Sequence, residues 1–266
     1  MKLTFLGVGS AFALDNFQSN MLVDSRGRRL LIDCGGDARF ALNRLGLRAA
    51  DIDALFVSHL HADHIGGIEW LCFSRYFSNG PKPDLFINSR LAEMLWEQSL
   101  RGGMASIQAR TMGLDDFFAT VHRLPSNGTF HFGSMHCRPF STVHYFDGYE
   151  LVPSYGLLLD VYPEDSSGEE LPTNEGVPTS RVMVTTDTQF CPAQLLDFYR
   201  SADIIFQDCE TSVWKSGIHA HFEDLCGLPA SIRQKMWLYH YADGPLPDAV
   251  TAGFAGFVTQ GQIFEF

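Results

Sequence analysis

Four side chains able to bind a metal ion occur within one six-residue segment, His59-Leu-His61-Ala-Asp63-His64. Neutral imidazole nitrogens and carboxylate oxygens are common zinc ligands, and catalytic zinc sites leave one coordination position for water. The segment follows residues 52–58, an apolar run typical of a buried strand. A strand that turns into a helix lets successive side chains diverge. We therefore predict that His59 and His61 face one metal ion while Asp63 and His64 face another.

Three further candidate ligands follow apolar runs elsewhere in the chain. His144 follows residues 139–143, Asp187 follows residues 181–186, and His240 follows residues 236–239. Two metal ions need more than four ligands, and the carboxylate of Asp187 is able to bridge two ions. The shared position of these residues at the ends of strand-like runs predicts that they join the first four.

Apolar periodicity and turn residues predict the elements that position these side chains. Strands are predicted at residues 2–5, 20–24, 29–33, 52–58, 84–88, 129–132, 135–144, 155–162, 181–186, 204–207 and 237–240. Helices are predicted at residues 37–47, 65–77, 89–100, 191–200 and 228–235. Two β-rich halves that both carry helices favour an α/β layered fold. The polar segment 163–180 is predicted to be a solvated hairpin loop or a flap over a site.

Composition limits the partners of the chain. Its 266 residues are 45% hydrophobic, which excludes a disordered protein, and no apolar run approaches the ~20 residues of a membrane helix. The N-terminus does not resemble a signal peptide, and the six scattered cysteines are expected to be free thiols, so we expect a cytoplasmic protein without a membrane partner. The net charge of −12 makes a long nucleic acid an unlikely partner, because such partners are bound largely through Lys and Arg. A small anionic substrate held by metal ions is compatible with this negative net charge.

A glycine pair near the N-terminus, Gly7-Val-Gly9, follows a predicted strand and invites comparison with a dinucleotide-binding loop. The third glycine of that pattern would stand at position 12, which is Phe12. The pair therefore does not predict a dinucleotide cofactor.

The ordered ligand series resembles that of the metallo-β-lactamase fold superfamily over nearly the whole chain. This resemblance implies one domain, residues 1–266, folded as an αββα sandwich with the metals at one edge between the sheets. It also implies two Zn²⁺ ions, with Mn²⁺ as an alternative. The implied ligands are His59, His61 and His144 for one ion, Asp63, His64 and His240 for the other, and Asp187 as the bridge.

Within the superfamily, the Phe5-Leu-Gly-Val-Gly-Ser opening is similar to the branch of ribonuclease Z and the cyclic nucleotide phosphodiesterases. Ribonuclease Z carries a long basic arm where this chain has only the short stretch 78–84, and the closing stretch 239–258 is more similar to small phosphodiesterases, including the anti-Pycsar enzymes. The expected activity is hydrolysis of 3′,5′-cyclic nucleotides to nucleoside monophosphates by a homodimer. The alternatives are a ribonuclease Z-like RNA 3′-end endonuclease and a thioester or lactone hydrolase.

The expected chemistry assigns roles to residues beyond the ligands. Two zinc ions share a water molecule, lower its pKa toward ~7 and clamp the phosphoryl oxygens. Asp63 is placed to orient that water. By resemblance to ribonuclease Z, Glu210 would orient His219, which protonates the leaving oxygen. Asp208 is an alternative partner of this histidine, and His221 is a rival proton donor.

Overall fold

The computed structural model of the chain describes residues 1–163 and 177–266. The strands of this part are β1 (Lys2–Gly7), β2 (Asn20–Ser25), β3 (Arg28–Ile32), β4 (Ala54–Val57), β5 (Asp84–Asn88), β6 (Ser106–Ile107), β7 (Arg110–Thr111), β8 (Val121–Leu124), β9 (Phe130–Phe132), β10 (Met135–Thr142), β11 (Ser154–Val161), β12 (Ser180–Val184), β13 (Ile204–Asp208), β14 (Met236–Tyr239), β15 (Gly256–Phe257) and β16 (Ile263–Glu265). Residues 164–176 of the predicted hairpin or flap lie outside the described residues.

The helices connect and cover these strands. They are α1 (Ala38–Arg44), α2 (Ala62–Ile65), α3 (Ile68–Phe77), α4 (Ser89–Met94), α5 (Arg101–Met104), α6 (Pro192–Ser201), α7 (Phe222–Leu225) and α8 (Ala230–Arg233). A π-helical segment, Leu95–Leu100, joins α4 to α5. Two short 3₁₀ helices, Ala49–Asp51 and Leu114–Asp116, complete this part of the chain. Among the described residues, none of the helices is both long and apolar enough to cross a membrane.

The described strands form two seven-stranded sheets and one small hairpin, β6–β7. The first sheet has the order β16-β1-β2-β3-β4-β5-β8, and the second has the order β15-β14-β13-β12-β11-β10-β9. In both sheets antiparallel strands pass into a parallel set, which is β3-β4-β5-β8 in the first and β12-β13-β14-β15 in the second. Polar residues that follow parallel strands therefore collect at one edge of each sheet.

The two sheets face each other across an aromatic core. The ring centroid of Phe5 on β1 lies 4.9 Å from that of Phe206 on β13 and 5.5 Å from that of Tyr239 on β14. All three side chains are fully buried, and burial of each large apolar side chain contributes about 1.5–3 kcal/mol. Because Phe206 and Tyr239 stand directly before the polar ends of their strands, the same packing fixes Asp208 and His240 against the first sheet.

Strand β11 shows why its sequence is a continuous apolar run rather than an alternating one. All of its residues are buried, since Leu157 and Leu159 point into the core between the sheets while Leu158 points to the outer face. On that outer face Leu158 packs with Leu195 and Tyr199 of α6. Because both faces of this strand are covered, apolar residues occupy both faces, which explains the continuous apolar run in the sequence.

The loop after β3 packs closely against the turn that carries the His-rich segment. The backbone N–H of Cys34 donates to the carbonyl of His64 at 2.7 Å. A Cβ on Gly35 would lie only 2.0 Å from the carbonyl oxygen of Asp63. Gly7 has a similar role, because a Cβ there would lie 2.1 Å from the carbonyl oxygen of Gln18. Close backbone approach therefore accounts for both glycines.

Candidate metal centre

All seven predicted ligands converge at the edge where the two sheets meet. In each of two groups, the nitrogen or oxygen atoms that would bind metal lie within 4.8 Å of one another. The first group is His59, His61, His144 and Asp187, and the second is Asp63, His64, Asp187 and His240. This division is the one that the resemblance to the metallo-β-lactamase fold superfamily implies, with Asp187 in both groups, although the role of these side chains as ligands stays a prediction. A third overlapping group consists of Asp187, Asp208, His219 and His240.

In the first group, three imidazole nitrogens point at one another. His61 Nδ1 lies 3.1 Å from His59 Nε2 and 3.0 Å from His144 Nε2. The remaining nitrogens of two rings are held from outside, since His144 Nδ1 donates to the carbonyl of Ile218 at 2.8 Å and His59 Nδ1 lies 3.0 Å from Ser58 Oγ. With their protons on Nδ1, His59 and His144 present Nε2 lone pairs to the centre, as metal-binding histidines do.

Asp33 contacts a histidine of each group, His64 directly and His59 through Ser58. Its carboxylate accepts from His64 Nδ1 at 2.7 Å and from Ser58 Oγ at 2.6 Å, and it also accepts from the Ser58 backbone N–H at 2.8 Å. Because the Ser58 hydroxyl donates to Asp33, it is free to accept the Nδ1 proton of His59. One fully buried carboxylate thus orients one imidazole of each group.

In the second group, two buried polar atoms lack a hydrogen-bond partner. His240 Nδ1 lies 3.1 Å from Ser19 Oγ, and its Nε2 lies 3.5 Å from Asp187 Oδ2. Neither His240 Nε2 nor Asp187 Oδ1 has a hydrogen-bond partner among the described residues, although both side chains are only 1% exposed. Buried polar atoms are nearly always paired, so these atoms fit a bound cation.

Electrostatics also suit a cation site. Burial lowers the pKa of His59 well below its usual value and that of His61 to about 4, so both rings are neutral at pH 7 and able to bind metal. Burial alone would raise the pKa values of the carboxyl groups, but surrounding imidazoles outweigh it. They hold the pKa of Asp187 well below its usual value, and His64 brings that of Asp63 to about 2. Both carboxylates are therefore charged.

Three residues at this edge have left-handed backbone conformations, which non-glycine residues seldom adopt. The φ angles are +62° at Asp33, +50° at Thr186 and +67° at His240. Each residue stands within two positions of the end of its strand, where the chain leaves the sheet. Such conformations cost of order 1–3 kcal/mol each and concentrate at functional sites.

His219 lies beside the second group, and the structure corrects the partner predicted for it. Its Nδ1 donates to Asp208 Oδ2 at 2.9 Å, whereas the carboxylate of Glu210 accepts from Ser212 and Ser216. Asp208 is the last residue of β13, so its side chain points to the sheet edge, while Glu210 has passed into the following loop. Burial alone would lower the pKa of His219, but Asp208 raises it to about 9.

His221, the rival proton donor, is used structurally. Its Nε2 donates to the carbonyl of Ser212 at 3.0 Å, and its Nδ1 accepts from the backbone N–H of Glu223 at 3.2 Å. It is the N-cap residue of α7 and is 8% exposed. With both ring nitrogens occupied, His221 has none to offer to a substrate.

Sequence reasoning missed the residues that orient the imidazoles, which are Asp33, Ser58 and Ser19. Asp33 and Ser58 do carry one signal, because each directly follows a buried parallel strand of the first sheet. Ser19 has none, since its contact with His240 spans 221 positions of the chain.

Comparisons with known proteins agree with this geometry. Residues 1–264 match the family model described as anti-Pycsar protein Apyc1. A relative with that name from Paenibacillus harenae is 34% identical over 247 residues, covering 91% of this chain and 90% of its own length. Another from Bacillus phage 010DV004 is 31% identical over 276 residues, covering 99% of this chain and 98% of its own length.

Solved structures share the fold at low sequence identity. The metallo-β-lactamase fold protein YhfI from Bacillus subtilis superimposes with a TM-score of 0.70 at 16% identity, covering 99% of this chain and 98% of its own. The short form of human tRNase Z superimposes with a TM-score of 0.68 at 16% identity, covering 100% of this chain and 99% of its own. These matches confirm the predicted α/β sandwich of the metallo-β-lactamase type. This chain is a metal-dependent hydrolase that belongs to the anti-Pycsar protein Apyc1 family.

Proposed function

We propose that the chain is a dinuclear metal phosphodiesterase that opens 3′,5′-cyclic nucleotides to nucleoside monophosphates. The observation that carries this proposal is the pair of ligand groups that share Asp187. Two ions held about 3.5–4 Å apart are typical of enzymes that hydrolyse phosphate esters. Membership of the anti-Pycsar family supports a cyclic nucleotide as the ester.

The side chains that would hold the ions are the seven of the first two groups. Five imidazoles and two carboxylates form a donor set that suits Zn²⁺, with Mn²⁺ as the alternative that carboxylates favour. When bound, the metals would activate water and stabilise negative charge on the phosphoryl oxygens. Asp63 lies in this set, in the second group with Asp187, and its proposed further role is to orient the attacking water.

His219 is the proposed proton donor to the leaving oxygen. Hydrolysis forms one P–O bond to the water oxygen and breaks another, and the departing ribose oxygen must gain a proton. Asp208 fixes the ring by accepting from Nδ1 at 2.9 Å, which leaves Nε2 available at a cavity that His219 lines. General acids of this kind contribute typically about 10²–10⁴-fold to the rate.

A small substrate is favoured over a long nucleic acid by two features. Helix α3 ends at Phe77 and β5 begins at Asp84, so the connection is far too short for an RNA-gripping arm. The net charge of −12 opposes binding of an extended phosphate backbone. We also propose a homodimer, which sedimentation analysis would establish.

Product analysis tests the proposal. The zinc-loaded protein would be incubated with purine and pyrimidine 3′,5′-cyclic mononucleotides, with chelated protein as the control. The expected result is metal-dependent conversion to linear monophosphates, and the Asp187→Ala variant should be inactive. If no cyclic nucleotide is converted while precursor tRNA, a thioester or a lactone is, the proposal is wrong and that substrate replaces it.

A further inference from the structure

A cavity of about 370 Å³ adjoins the candidate metal centre and reaches it at His219 and His240. Its volume lies within the range of about 300–1,000 Å³ typical of small-molecule sites. Two loops frame it, one formed by residues 10–16 and the other by residues 211–217. The lining residues that belong to the loops are Ser10, Ala11, Phe12, Ala13, Ser212 and Ser216.

The first loop is held by one carboxylate. Asp243 lines the cavity and accepts the backbone N–H of Leu14 and, at 3.0 Å, the Nδ2 of Asn16. These hydrogen bonds span more than 220 positions of the chain, so they fix loop 10–16 against the C-terminal half. Asp243 therefore anchors the loop that carries Phe12 at residues 14–16.

The second loop is held by Glu210 in the same way. Its carboxylate accepts from Ser212 Oγ at 2.9 Å and from the backbone N–H of Ser216 at 2.9 Å. Trp214 lies between these two serines in the sequence, and its carbonyl oxygen lies 2.7 Å from Ser212 Oγ, whose single proton is shared between this oxygen and the Glu210 carboxylate. Glu210, which the sequence suggested as the partner of His219, is thus a positioning residue for the loop that carries Trp214.

Large apolar side chains on these anchored loops are left in water. Phe12 is 92% exposed and Trp214 is 85% exposed, and Leu14 and Val213 beside them are about equally exposed. Phe12 lines the cavity, and Trp214 lies in the loop between Ser212 and Ser216, which also line it. Exposed apolar side chains that are grouped together mark a ligand site more often than scattered ones do. Flat aromatic surfaces stack on nucleic acid bases of any identity.

We propose that this cavity receives the base of the cyclic nucleotide and that Phe12 and Trp214 stack on it. This inference rests on the proposed function. Glu210 and Asp243 would repel a phosphate in the cavity, whereas the metal centre attracts one, so the uncharged base is the part of the substrate that fits here. The substrate then has one orientation, with its phosphate at Asp187 and its base between the two loops.

Calorimetry tests the site without turnover. The zinc-loaded protein and its Phe12→Ala and Trp214→Ala variants would be titrated with a nucleoside 5′-monophosphate and with ribose 5-phosphate. The wild type should bind the nucleotide at least about five-fold more tightly, since one stacked base is worth about that factor or more. Each variant should lose most of this advantage and bind ribose 5-phosphate unchanged. Phe77→Ala, which removes a 62% exposed ring outside the cavity, is the matched control.

Kinetics separate positioning from catalysis. Phe12→Ala and Trp214→Ala should raise KM for cyclic nucleotides at least about five-fold with kcat within about two-fold of wild type. Glu210→Ala should do the same, because the Trp214 loop loses its anchor, and Glu210→Gln should restore part of the affinity. A large fall in kcat in Glu210→Ala would instead return Glu210 to the catalytic machinery.

Each remaining outcome assigns failure to one proposal. Base-dependent binding without turnover would leave the cavity assignment intact and overturn the phosphodiesterase. Turnover of cyclic nucleotides with equal binding of nucleotide and ribose 5-phosphate would support the phosphodiesterase and overturn the cavity assignment. If the wild type is a dimer in sedimentation and both aromatic variants are monomers, the surface is occupied by a second copy of the chain and the base site is wrong.

Discussion

Two aspartate–histidine pairs, one from each sheet, have nearly the same construction. Asp33 follows β3 and accepts from His64 Nδ1 at 2.7 Å, while Asp208 ends β13 and accepts from His219 Nδ1 at 2.9 Å. Each aspartate also accepts the backbone N–H of a residue that follows the neighbouring parallel strand, at 2.8 Å from Ser58 and at 2.9 Å from Thr188. Both aspartates are fully buried.

The histidines of the two pairs differ in what their second nitrogen reaches. The side chain of His64 is 2% exposed, and its Nε2 lies 3.2 Å from the carboxylates of both Asp63 and Asp187. The side chain of His219 is 15% exposed and lines the cavity. A carboxylate–histidine pair therefore does not define a role by itself. His64 is enclosed by other predicted ligands, which suits it to bind metal. His219 has access to the cavity, which suits it to donate a proton to a substrate.

Removing the enclosed histidine should have the largest effect. In His64→Ala the second ligand group loses an imidazole, so turnover of cyclic nucleotides should fall to the level of the chelated protein. Product formation over a range of zinc concentrations measures this. Activity near that of wild type would remove His64 from the metal centre.

Removing the accessible histidine should cost less. His219→Ala should lower kcat about 10²–10⁴-fold, because the leaving oxygen no longer receives its proton from a positioned acid. KM should change far less than kcat. Steady-state kinetics on the zinc-loaded variant measure both, and an unchanged kcat would contradict the assignment.

The aspartates sharpen the comparison further. Asp33→Asn should weaken metal binding about 10–100-fold, since it alters the partner of a ligand imidazole. Asp208→Asn should leave metal affinity near that of wild type and lower kcat instead. Competition with a chelator of known affinity measures the first effect. Equal losses of metal affinity in Asp33→Asn and Asp208→Asn would mean that both aspartate–histidine pairs support metal binding.

The smallest effect is expected at His221. Replacing it with alanine removes the N-cap of α7 and should lower the free energy of unfolding by about 1 kcal/mol. Its kcat should stay within about three-fold of wild type. Denaturant unfolding and kinetics on the same preparation test both parts, and a loss of kcat as large as that of His219→Ala would restore His221 as a rival proton donor.

Residues close in sequence or at strand ends were predictable. The segment from His59 to His64 carries four donors together, and His144, Asp187 and His240 follow apolar runs whose strand character the structure confirms. The main elements were predictable for the same reason, because periodicity is a local signal. Strand β5 and the start of α4 at Ser89 lie where predicted.

Contacts between distant segments were not predictable. The choice of Asp208 over Glu210 depends on where β13 ends, and element boundaries are the least reliable part of a sequence-based prediction. Strands β15 and β16 are two and three residues long and take their structure from their neighbours. The left-handed backbone at Asp33 accompanies hydrogen bonds that span 25 and 31 positions of the chain, which no local pattern reveals.

Counting metal ions tests the central claim most directly. Elemental analysis of the wild type, His64→Ala and His219→Ala, each loaded with zinc and freed of excess, would give the number of ions bound per chain. We expect two ions in the wild type, fewer in His64→Ala, and two in His219→Ala. Loss of an ion in His219→Ala equal to that in His64→Ala would contradict the account, because His219 would then belong with the ligands in the group it forms with Asp187, Asp208 and His240.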